Sequence, residues 1–352
     1  MRRSHTGFTH ALQAMAVVAT LAWVALSGVA RPAAAPQTPQ RQPTPQRNID
    51  DVDVQVLPVR GNIYMLVGAG GNVTLQIGRD GVLVVDSGSG PKSDAIVAAI
   101  RRLTDRPIRW IVNTHYHSDH TGGNRTVSKA GRSIPQVAIG AGRLFTDADD
   151  VANIVAHENV LKRMTTQTGE GASAANENRP VATFFGDEEE LFFNGEPILL
   201  IHQPSAHTDG DVLVFFRRSD IVAAGDIFVT HSYPVIDIAA GGTFGGYLDA
   251  LNNVIHITIP EEKQEGGTYV IPGHGRLSDE ADVVDVRDMV TIVRDRIQSM
   301  IARGMTLDQV KAARPTLDYD DRYRASGGTW TPDMFVEAAY RTLSPTAVKA
   351  GS

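Results

Sequence analysis

Cysteine is missing from this chain of 352 residues. Its absence excludes disulfide bonds, thiolate metal ligands, a cysteine nucleophile and a lipoprotein anchor attached through cysteine. A cluster of lysine or arginine is also missing, and the formal net charge is −7, so we expect no nucleic acid partner. If the chain binds a metal ion, histidine and carboxylate side chains must hold it.

Long apolar runs are absent except near the N-terminus. Residues 1–30 begin with Met1-Arg2-Arg3 and continue into an Ala/Val/Leu-rich stretch that ends in Gly28-Val29-Ala30. This pattern predicts a secretory signal peptide and a secreted or periplasmic protein. A short membrane anchor is the alternative, but the run is short for a span, so we expect no stable membrane insertion after processing.

The remainder of the chain divides into three parts by composition. Residues 31–48 are rich in Pro and Gln and lack large apolar residues, which predicts a disordered linker. We expect a catalytic domain over residues 49–278 and a helical extension over residues 279–352. The extension is predicted to contain helices over residues 279–302, 306–313 and 332–343, with a capping box at Thr306 and proline in a first helical turn at Pro332.

Apolar runs predict the secondary structure of the catalytic domain. Strands are predicted over residues 52–57, 63–67, 72–77, 82–85, 108–112, 198–201, 212–216, 221–224 and 269–271. Helices are predicted over residues 92–103 and 146–165, and residues 168–178 are predicted to form a mobile polar loop. Several strands end in polar loops, which is where open α/β sheets place their functional sites.

The loop after the strand at residues 108–112 contains the motif His-x-His-x-Asp-His. His115, His117, Asp119 and His120 are four potential ligands within six positions, a density that side-chain packing does not explain. His115 and His117 are two apart in an extended segment and project to the same side, so they can share one ion. Asp119 and His120 can serve a second ion nearby.

Further ligands are predicted at the ends of other strands. His207, Asp226 and His274 each follow or end a predicted strand, and Asp226 can place one carboxylate oxygen on each of two ions. A hydroxide held between two such ions is a nucleophile at neutral pH, and the ions polarise the carbonyl group that it attacks. We therefore expect two Zn²⁺ ions as cofactors, with iron or manganese as alternatives.

Other polar residues are given supporting roles. Asp86 follows the strand at residues 82–85 and is predicted to organise a loop or support a ligand, rather than to bind metal. His157, His231 and Tyr233 are candidates for the substrate cleft, with His157 placed on the predicted helix.

The ordered set His115-x-His117-x-Asp119-His120, His207, Asp226 and His274 resembles the metallo-β-lactamase superfamily over roughly residues 52–276. The resemblance implies an αββα sandwich with a dinuclear site at one edge, between the two sheets. It implies that His115, His117 and His207 hold one zinc, that Asp119, His120 and His274 hold the other, and that Asp226 bridges them. As in relatives, Asp119 would also be catalytic, by orienting the hydroxide and taking up its proton.

Differences from the ligand patterns of well-known superfamily members restrict the expected substrate class. Asp226 stands where the metallo-β-lactamases of most similar ligand set carry cysteine or serine, so the site resembles glyoxalase II, lactonases and related hydrolases. Val229 stands in place of a lactonase-like tyrosine, and residues 207–211 differ from the Thr-Pro-Gly-His pattern of glyoxalase II. The resemblance implies an exported zinc hydrolase that uses a metal-bridged hydroxide on a small-molecule ester, lactone, thioester or cyclic amide.

Three alternatives remain open. The first is β-lactam hydrolysis, on analogy of fold and compartment alone. The second is a mononuclear iron oxidoreductase of the same fold, which metal content would distinguish from a dinuclear zinc enzyme. The third is a non-catalytic accessory protein of a periplasmic oxidation system, against which the complete ligand set argues. The sequence predicts no oligomeric state.

Overall fold

The computed structural model describes residues 53–133, 150–167, 171–324 and 330–344. The predicted signal peptide and linker lie outside these residues. The described strands are β1 (Gln55–Arg60), β2 (Ile63–Val67), β3 (Val73–Gly78), β4 (Gly81–Val85), β5 (Ile108–Val112), β6 (Asn153–His157), β7 (Ala182–Phe184), β8 (Glu188–Phe193), β9 (Glu196–Gln203), β10 (Asp211–Phe216), β11 (Ile221–Val229) and β12 (Tyr269–His274). The described helices are α1 (Ser93–Leu103), α2 (Ser118–Thr121), α3 (Asn124–Lys129), α4 (Glu158–Thr166), α5 (Gly171–Asn178), α6 (Phe244–Ile257), α7 (Glu280–Ala302), α8 (Leu307–Ala312), α9 (Asp320–Tyr323) and α10 (Pro332–Leu343).

The first sheet has seven strands in the order β1-β2-β3-β4-β5-β6-β7. Strands β1 to β4 pair antiparallel, whereas β4 to β7 pair parallel. The tight turn between β3 and β4 pairs Gly78 with Gly81, and Gly81 adopts a φ of 130°, a conformation that side chains disfavour. Strand β4 is buried along its whole length, as expected for a parallel strand covered on both faces.

The second sheet has five strands in the order β12-β11-β10-β9-β8. Strands β8 to β11 pair antiparallel, and β12 joins β11 in parallel. Because β11 and β12 run in the same direction, polar residues toward their carboxyl ends lie at the same edge of the sheet. Asp226 and His274 are the residues placed there.

Buried apolar side chains define the layers of the fold. One cluster lies between the sheets and includes Leu83 and Leu200. A second packs α1 on the outer face of the first sheet through residues such as Ile100. A third packs α6, α7 and α10 on the outer face of the second sheet and includes Leu251 and Val290. This helix–sheet–sheet–helix order is the αββα architecture that the family resemblance implied.

The C-terminal helices begin where the sequence predicted them. The side chain of Asp279 caps α7 by accepting from the backbone N–H of Asp282. Thr306 and Gln309 form the predicted capping box of α8, and Pro332 lies in the first turn of α10. None of the helices in the described part of the chain is long and apolar enough to cross a membrane.

Two local predictions were wrong. Within the helix predicted over residues 146–165, residues 153–157 form strand β6, which pairs with β5 and β7, and α4 starts only at Glu158. A short apolar run fits a buried strand as well as a helix, and pairing with the sheet decided the outcome. The loop predicted over residues 168–178 contains helix α5. Strands β7 and β8 and helix α6 were not predicted.

Candidate metal centre

Polar side chains from four separate segments converge at one edge of the sandwich. His115 follows β5, and α2 begins directly after His117 and carries Asp119 and His120. His207 lies in the loop after β9, Asp226 lies in β11, and His274 ends β12. The structure therefore brings all seven predicted ligands together in two groups. Within each group, the potential ligand atoms lie within 4.8 Å of one another.

The first donor group consists of His115, His117 and His207 with Asp226. Nε2 of His207 lies 2.9 Å from Nδ1 of His117, and it lies 3.7 Å from Oδ2 of Asp226. The ring centroids of His115 and His117 are 4.9 Å apart, and the rings are perpendicular to each other. Several ring nitrogens thus point toward one common position.

The second donor group consists of Asp119, His120 and His274. Nε2 of His274 lies 3.1 Å from Oδ2 of Asp119 and 3.3 Å from Nε2 of His120. Asp119 is the most open member, with 41% of its side chain exposed, whereas the His120 ring is fully buried. The group is therefore anchored in the core on one side and reaches solvent on the other.

Asp226 lies between the two groups. Its Oδ2 faces His207, while its Oδ1 lies 3.3 Å from Nε2 of His120 and 3.5 Å from Nε2 of His274. The two oxygens of one carboxylate are therefore directed to different donor groups, as the sequence predicted for a bridging residue.

The donor set fits metal ions on features of the structure itself. Nε2 of His115 and Oδ1 of Asp226 are buried atoms without a hydrogen-bond partner among the described residues. Such atoms are costly to bury unless something binds them. The short contact between the ring nitrogens of His117 and His207 brings two groups of like chemistry together, which a shared cation would explain. Imidazole and carboxylate together are suitable ligands for zinc.

The ring nitrogens that face away from the donor groups are held by other parts of the chain. Nδ1 of His120 donates to Oδ2 of Asp86 at 2.8 Å, and Nδ1 of His207 donates to the carbonyl oxygen of Val235 at 2.8 Å. Nδ1 of His115 lies 3.0 Å from the hydroxyl of Thr114. Such contacts fix the tautomer and orientation of a metal-binding histidine. Asp86 thus occupies the supporting position that the sequence predicted.

Asp237 is a supporting residue that the sequence analysis missed. Its Oδ2 accepts from Nε2 of His117 at 3.1 Å and from the hydroxyl of Tyr116 at 2.6 Å. Burial opposes the charged form of Asp237, but the hydrogen bonds from His117 and Tyr116 outweigh burial and lower its pKa below the usual value. No local motif marks Asp237, because its partners are 120 and 121 residues away in sequence.

Burial lowers the pKa values of the donor histidines, whereas nearby carboxylates raise them. Burial lowers the pKa of His115 well below its usual value and that of His207 to about 4. Burial also opposes charge on His120, but Asp226, Asp86 and Asp119 outweigh it and raise its pKa well above the usual value. Without an ion, the carboxylates thus stabilise a proton on His120. An ion that binds there would displace that proton, so metal affinity should depend on pH.

At two positions beside the donor groups, only glycine is small enough to avoid contact with a donor side chain. A Cβ atom at Gly71 would lie 2.5 Å from Cε1 of His120, and a Cβ atom at Gly273 would overlap Oδ1 of Asp226. Any larger residue at either position would displace a donor. This requirement could not be recognised from the sequence, because Gly71 is far from His120 along the chain.

The three candidates for the substrate cleft lie in different environments. His231 is exposed, and its ring centroid lies 6.2 Å from that of His274, beside the second donor group. His157 is buried at the end of β6 and stacks on His202. Tyr233 is only 1% exposed, and its hydroxyl contacts Asp320. The burial of His157 and Tyr233 does not support a role in lining a cleft.

The model of the metallo-beta-lactamase superfamily matches residues 66–274, which is more than half of the chain and includes all seven donors. The chain belongs to the metallo-β-lactamase superfamily. The family predicted from the ligand pattern and the αββα fold are both confirmed.

Similar proteins include a linear primary-alkylsulfatase from Pseudomonas sp. (strain ATCC 19151), which is 22% identical over 260 residues. That match covers 66% of this chain and 47% of the relative. The structure of the stereoselective inverting sec-alkylsulfatase from Pseudomonas sp. is similar with a TM-score of 0.57 and 16% identity. A double mutant of a sec-alkylsulfatase gives a TM-score of 0.59 at 15% identity. Both structural matches cover 82% of this chain and 50% of the other chain.

The chain therefore spans about half the length of these sulfatases. At such low identity the structural matches show the fold alone. Superfamily membership and the two donor groups together support a metal-binding site at this edge of the sandwich.

Proposed function

We propose that this chain is an exported hydrolase that holds two zinc ions and cleaves an ester or a related acyl bond. The observation that carries this proposal is the position of Asp226, whose two oxygens are directed to different donor groups. One carboxylate placed in this way can serve two adjacent ions. The donor set contains only nitrogen and oxygen atoms, which suits zinc and leaves iron or manganese as alternatives.

Metal content tests the dinuclear proposal directly. Elemental analysis of the purified protein should find close to two zinc ions per chain. A single tightly held iron would contradict the proposal and favour the oxidoreductase alternative. The variant Asp226→Ala removes the shared carboxylate and should bind fewer than two ions. Asp220 lies just before β11, and the control variant Asp220→Ala should bind as many ions as the unmodified protein.

Bound ions would lower the pKa of a shared water molecule and polarise the substrate. The chain itself supplies orientation and proton transfer. Oδ2 of Asp119 lies 3.1 Å from Nε2 of His274, and with ions bound this carboxylate would orient the attacking water and take up its proton. Burial opposes charge on Asp119, but His120 and His274 outweigh it and lower its pKa to about 2. The carboxylate is therefore ionised at neutral pH, the form that accepts a hydrogen bond from a water molecule.

The substrate class that we propose is a neutral acyl compound: a carboxylic ester, lactone, thioester or cyclic amide. Arg163, which interacts electrostatically with Tyr116 and Asp237, is paired with Asp209, and Arg276, two residues after His274, is paired with Asp282. Neither guanidinium is free to hold an anionic group of a substrate. A neutral substrate needs no such partner.

A sulfate ester is the second candidate, because the chain is similar to a linear primary-alkylsulfatase. Matched substrates separate the two classes. Aryl acetate and aryl sulfate of the same phenol, and dodecyl acetate and dodecyl sulfate, differ only in the group that is cleaved. We expect faster turnover of the acetates. Preferential cleavage of both sulfates would replace the first candidate with the second.

The same assay should include a chromogenic cephalosporin, because β-lactam hydrolysis remains an alternative. Every activity should disappear in His115→Ala, which removes a donor of the first group. Activity that survives in His115→Ala would come from a contaminant or from another site. No hydrolysis of any substrate by zinc-loaded protein would favour the non-catalytic alternative.

Export is a separate part of the proposal. The charged start, the apolar stretch and the small residues at Gly28-Val29-Ala30 support it. Protein recovered from the periplasm should begin between Arg31 and about Gln37, which intact-mass measurement would show. Recovery of periplasmic protein that still carries Met1 would contradict cleavage.

A further inference from the structure

The segment Thr230–Asp237 connects the metal centre to the C-terminal helices. It follows β11, and two of its residues accept hydrogen bonds from the rings of donor histidines. The carbonyl oxygen of Val235 accepts from Nδ1 of His207 at 2.8 Å, and Oδ2 of Asp237 accepts from Nε2 of His117 at 3.1 Å. Two of the three histidines in the first donor group are therefore oriented by this one segment.

The other side of the same segment is held by Tyr233. Its backbone N–H donates to the carbonyl oxygen of Tyr323 at 2.9 Å. Its hydroxyl lies 3.0 Å from Oδ1 of Asp320 and 3.0 Å from the carbonyl oxygen of Thr316. Its ring stacks on Phe335 of α10, with ring centroids 5.0 Å apart. All of these partners belong to the C-terminal helical region, residues 279–344.

Asp320, which contacts the Tyr233 hydroxyl, is held in place by two arginines. Asp320 is buried, and its Oδ2 accepts from Arg314 at 3.1 Å and from Arg324 at 2.7 Å. Its Oδ1 is left for Tyr233. A hydrogen bond to an ionised carboxylate is stronger than one between neutral groups. A second contact supports the same segment, since Nε1 of Trp330 donates to the carbonyl oxygen of Pro234 at 3.1 Å.

We propose that the C-terminal helical region, acting through Tyr233, positions His117 and His207 and so sets the metal affinity of the first donor group. Tyr233 is two residues from Val235 and four from Asp237, and Pro234 between them restricts the backbone. A shift of Tyr233 therefore moves the two atoms that orient the histidine rings. Tyr233 is a positioning residue in this view, since it contacts neither donor histidine itself.

The variant Tyr233→Phe isolates this role. It keeps the ring that packs on Phe335 and removes only the hydroxyl that reaches Asp320. We expect zinc affinity, measured by competition with a chromophoric chelator, to fall by about tenfold, the lower end of the range for loss of a residue that supports a ligand. The visible spectrum of the Co²⁺-loaded variant should also change, because that spectrum reports ligand geometry.

Tyr340→Phe is the matched control. The Tyr340 hydroxyl donates to the carbonyl oxygen of Met305 at 3.0 Å, so this hydrogen bond lies within the helical region and not on the segment Thr230–Asp237. The control should lower the unfolding temperature to a similar extent and keep the zinc affinity and Co²⁺ spectrum of the unmodified protein. Equal zinc loss in both variants, or unchanged affinity in Tyr233→Phe, would overturn the proposal.

Trp330→Phe provides an independent variant if Tyr233→Phe does not fold. It removes the hydrogen bond to Pro234 and should weaken zinc binding in the same direction. Unchanged affinity in that variant would then count against the proposal. The inference depends on the metal centre proposed above but not on the substrate. Absence of zinc binding in the unmodified protein would refute the metal centre, whereas normal binding that Tyr233→Phe leaves unchanged would refute this inference alone.

Discussion

Oδ2 of Asp86 accepts a hydrogen bond from Nδ1 of His120 at 2.8 Å, across 34 residues of sequence. The same oxygen accepts from the hydroxyl of Thr114 at 2.7 Å, and Oδ1 accepts from the Thr114 backbone N–H at 2.8 Å. One buried carboxylate thus fixes the His120 ring and the backbone that leads into His115. With Nδ1 engaged in this way, Nε2 of His120 is left to face Asp226 and His274.

Asp86→Asn should therefore weaken the second donor group. The left-handed backbone at Asp86, with φ of 61°, is one that asparagine tolerates. An asparagine cannot replace all three contacts. If its carbonyl oxygen takes the position of Oδ2, its NH2 group faces the backbone N–H of Thr114, and if the NH2 group is there, it cannot accept from His120 and the Thr114 hydroxyl. We expect zinc affinity to fall about 10- to 100-fold in a chelator competition assay.

Asp220→Asn is the control for this variant. Asp220 also has a left-handed backbone, with φ of 56°, and it also accepts from a threonine hydroxyl, that of Thr268 at 2.7 Å. It lies just before β11, and its side-chain contacts are to Thr268, Gln264 and Arg60, none of which is a donor residue. Its zinc affinity should match that of the unmodified protein. If both variants lost affinity equally, Asp86 would have no specific role at the metal centre.

Asp119→Asn tests the predicted catalytic role. The amide keeps the size of the side chain and one oxygen but cannot take up a proton. We expect zinc to remain in at least the first donor group while kcat falls about 100-fold or more, the usual scale for loss of a positioned acid–base group. Zinc content and kcat should be measured on the same preparation. Near-normal turnover would show that Asp119 acts only as a ligand or loop residue.

Metal removal should destabilise the fold. The structure buries Nε2 of His115 and Oδ1 of Asp226 without hydrogen-bond partners among the described residues, so an ion compensates groups that are otherwise costly to bury. An ion that binds only the native state contributes about 4 kcal/mol when its free concentration is 1,000 times Kd. Calorimetry should show a lower unfolding temperature after chelation and recovery on addition of zinc. An unfolding temperature that chelator and zinc leave unchanged would argue against binding at these groups.

His157 should make stability depend on pH. Its ring stacks on His202 with centroids 3.6 Å apart, and burial followed by the neighbouring His202 lowers its pKa from 6.5 to about 4. As the pH falls, the unfolded state takes up the proton first, so stability present above about pH 6.5 is lost toward pH 4. The loss attributable to this one group is about 1–3 kcal/mol.

His157→Asn removes this titration and retains the cap of α4. The side chain of His157 accepts from the backbone N–H of Asn159, and asparagine is a favourable residue at that position. Chemical denaturation of chelated protein from pH 7 to pH 4 should give a shallower loss of stability for the variant. Chelation keeps acid-driven zinc release out of the comparison. Parallel pH profiles would mean that His157 does not titrate differently on folding.

The sequence by itself determined the local features of this protein. The spacing in His-x-His-x-Asp-His identified four candidate metal donors, and the absence of cysteine restricted all donors to histidine and carboxylate side chains. Alternating and continuous apolar runs located most strands, because the periodicity of a strand is a property of its own residues. The capping box at Thr306 located α8 for the same reason, since a cap depends only on residues within one helical turn.

Only the tertiary structure decided which distant residues support the donors. Asp237 and Val235 reach His117 and His207 across 120 and 28 residues, and Tyr233 reaches Asp320 across 87. Such contacts leave no periodicity or spacing in the sequence. Strand β6 became a strand because β5 and β7 offered backbone partners on both sides, which its own apolar run could not reveal. Local patterns depend on neighbours along the chain, whereas hydrogen-bond partners at the metal centre depend on how the whole sandwich packs.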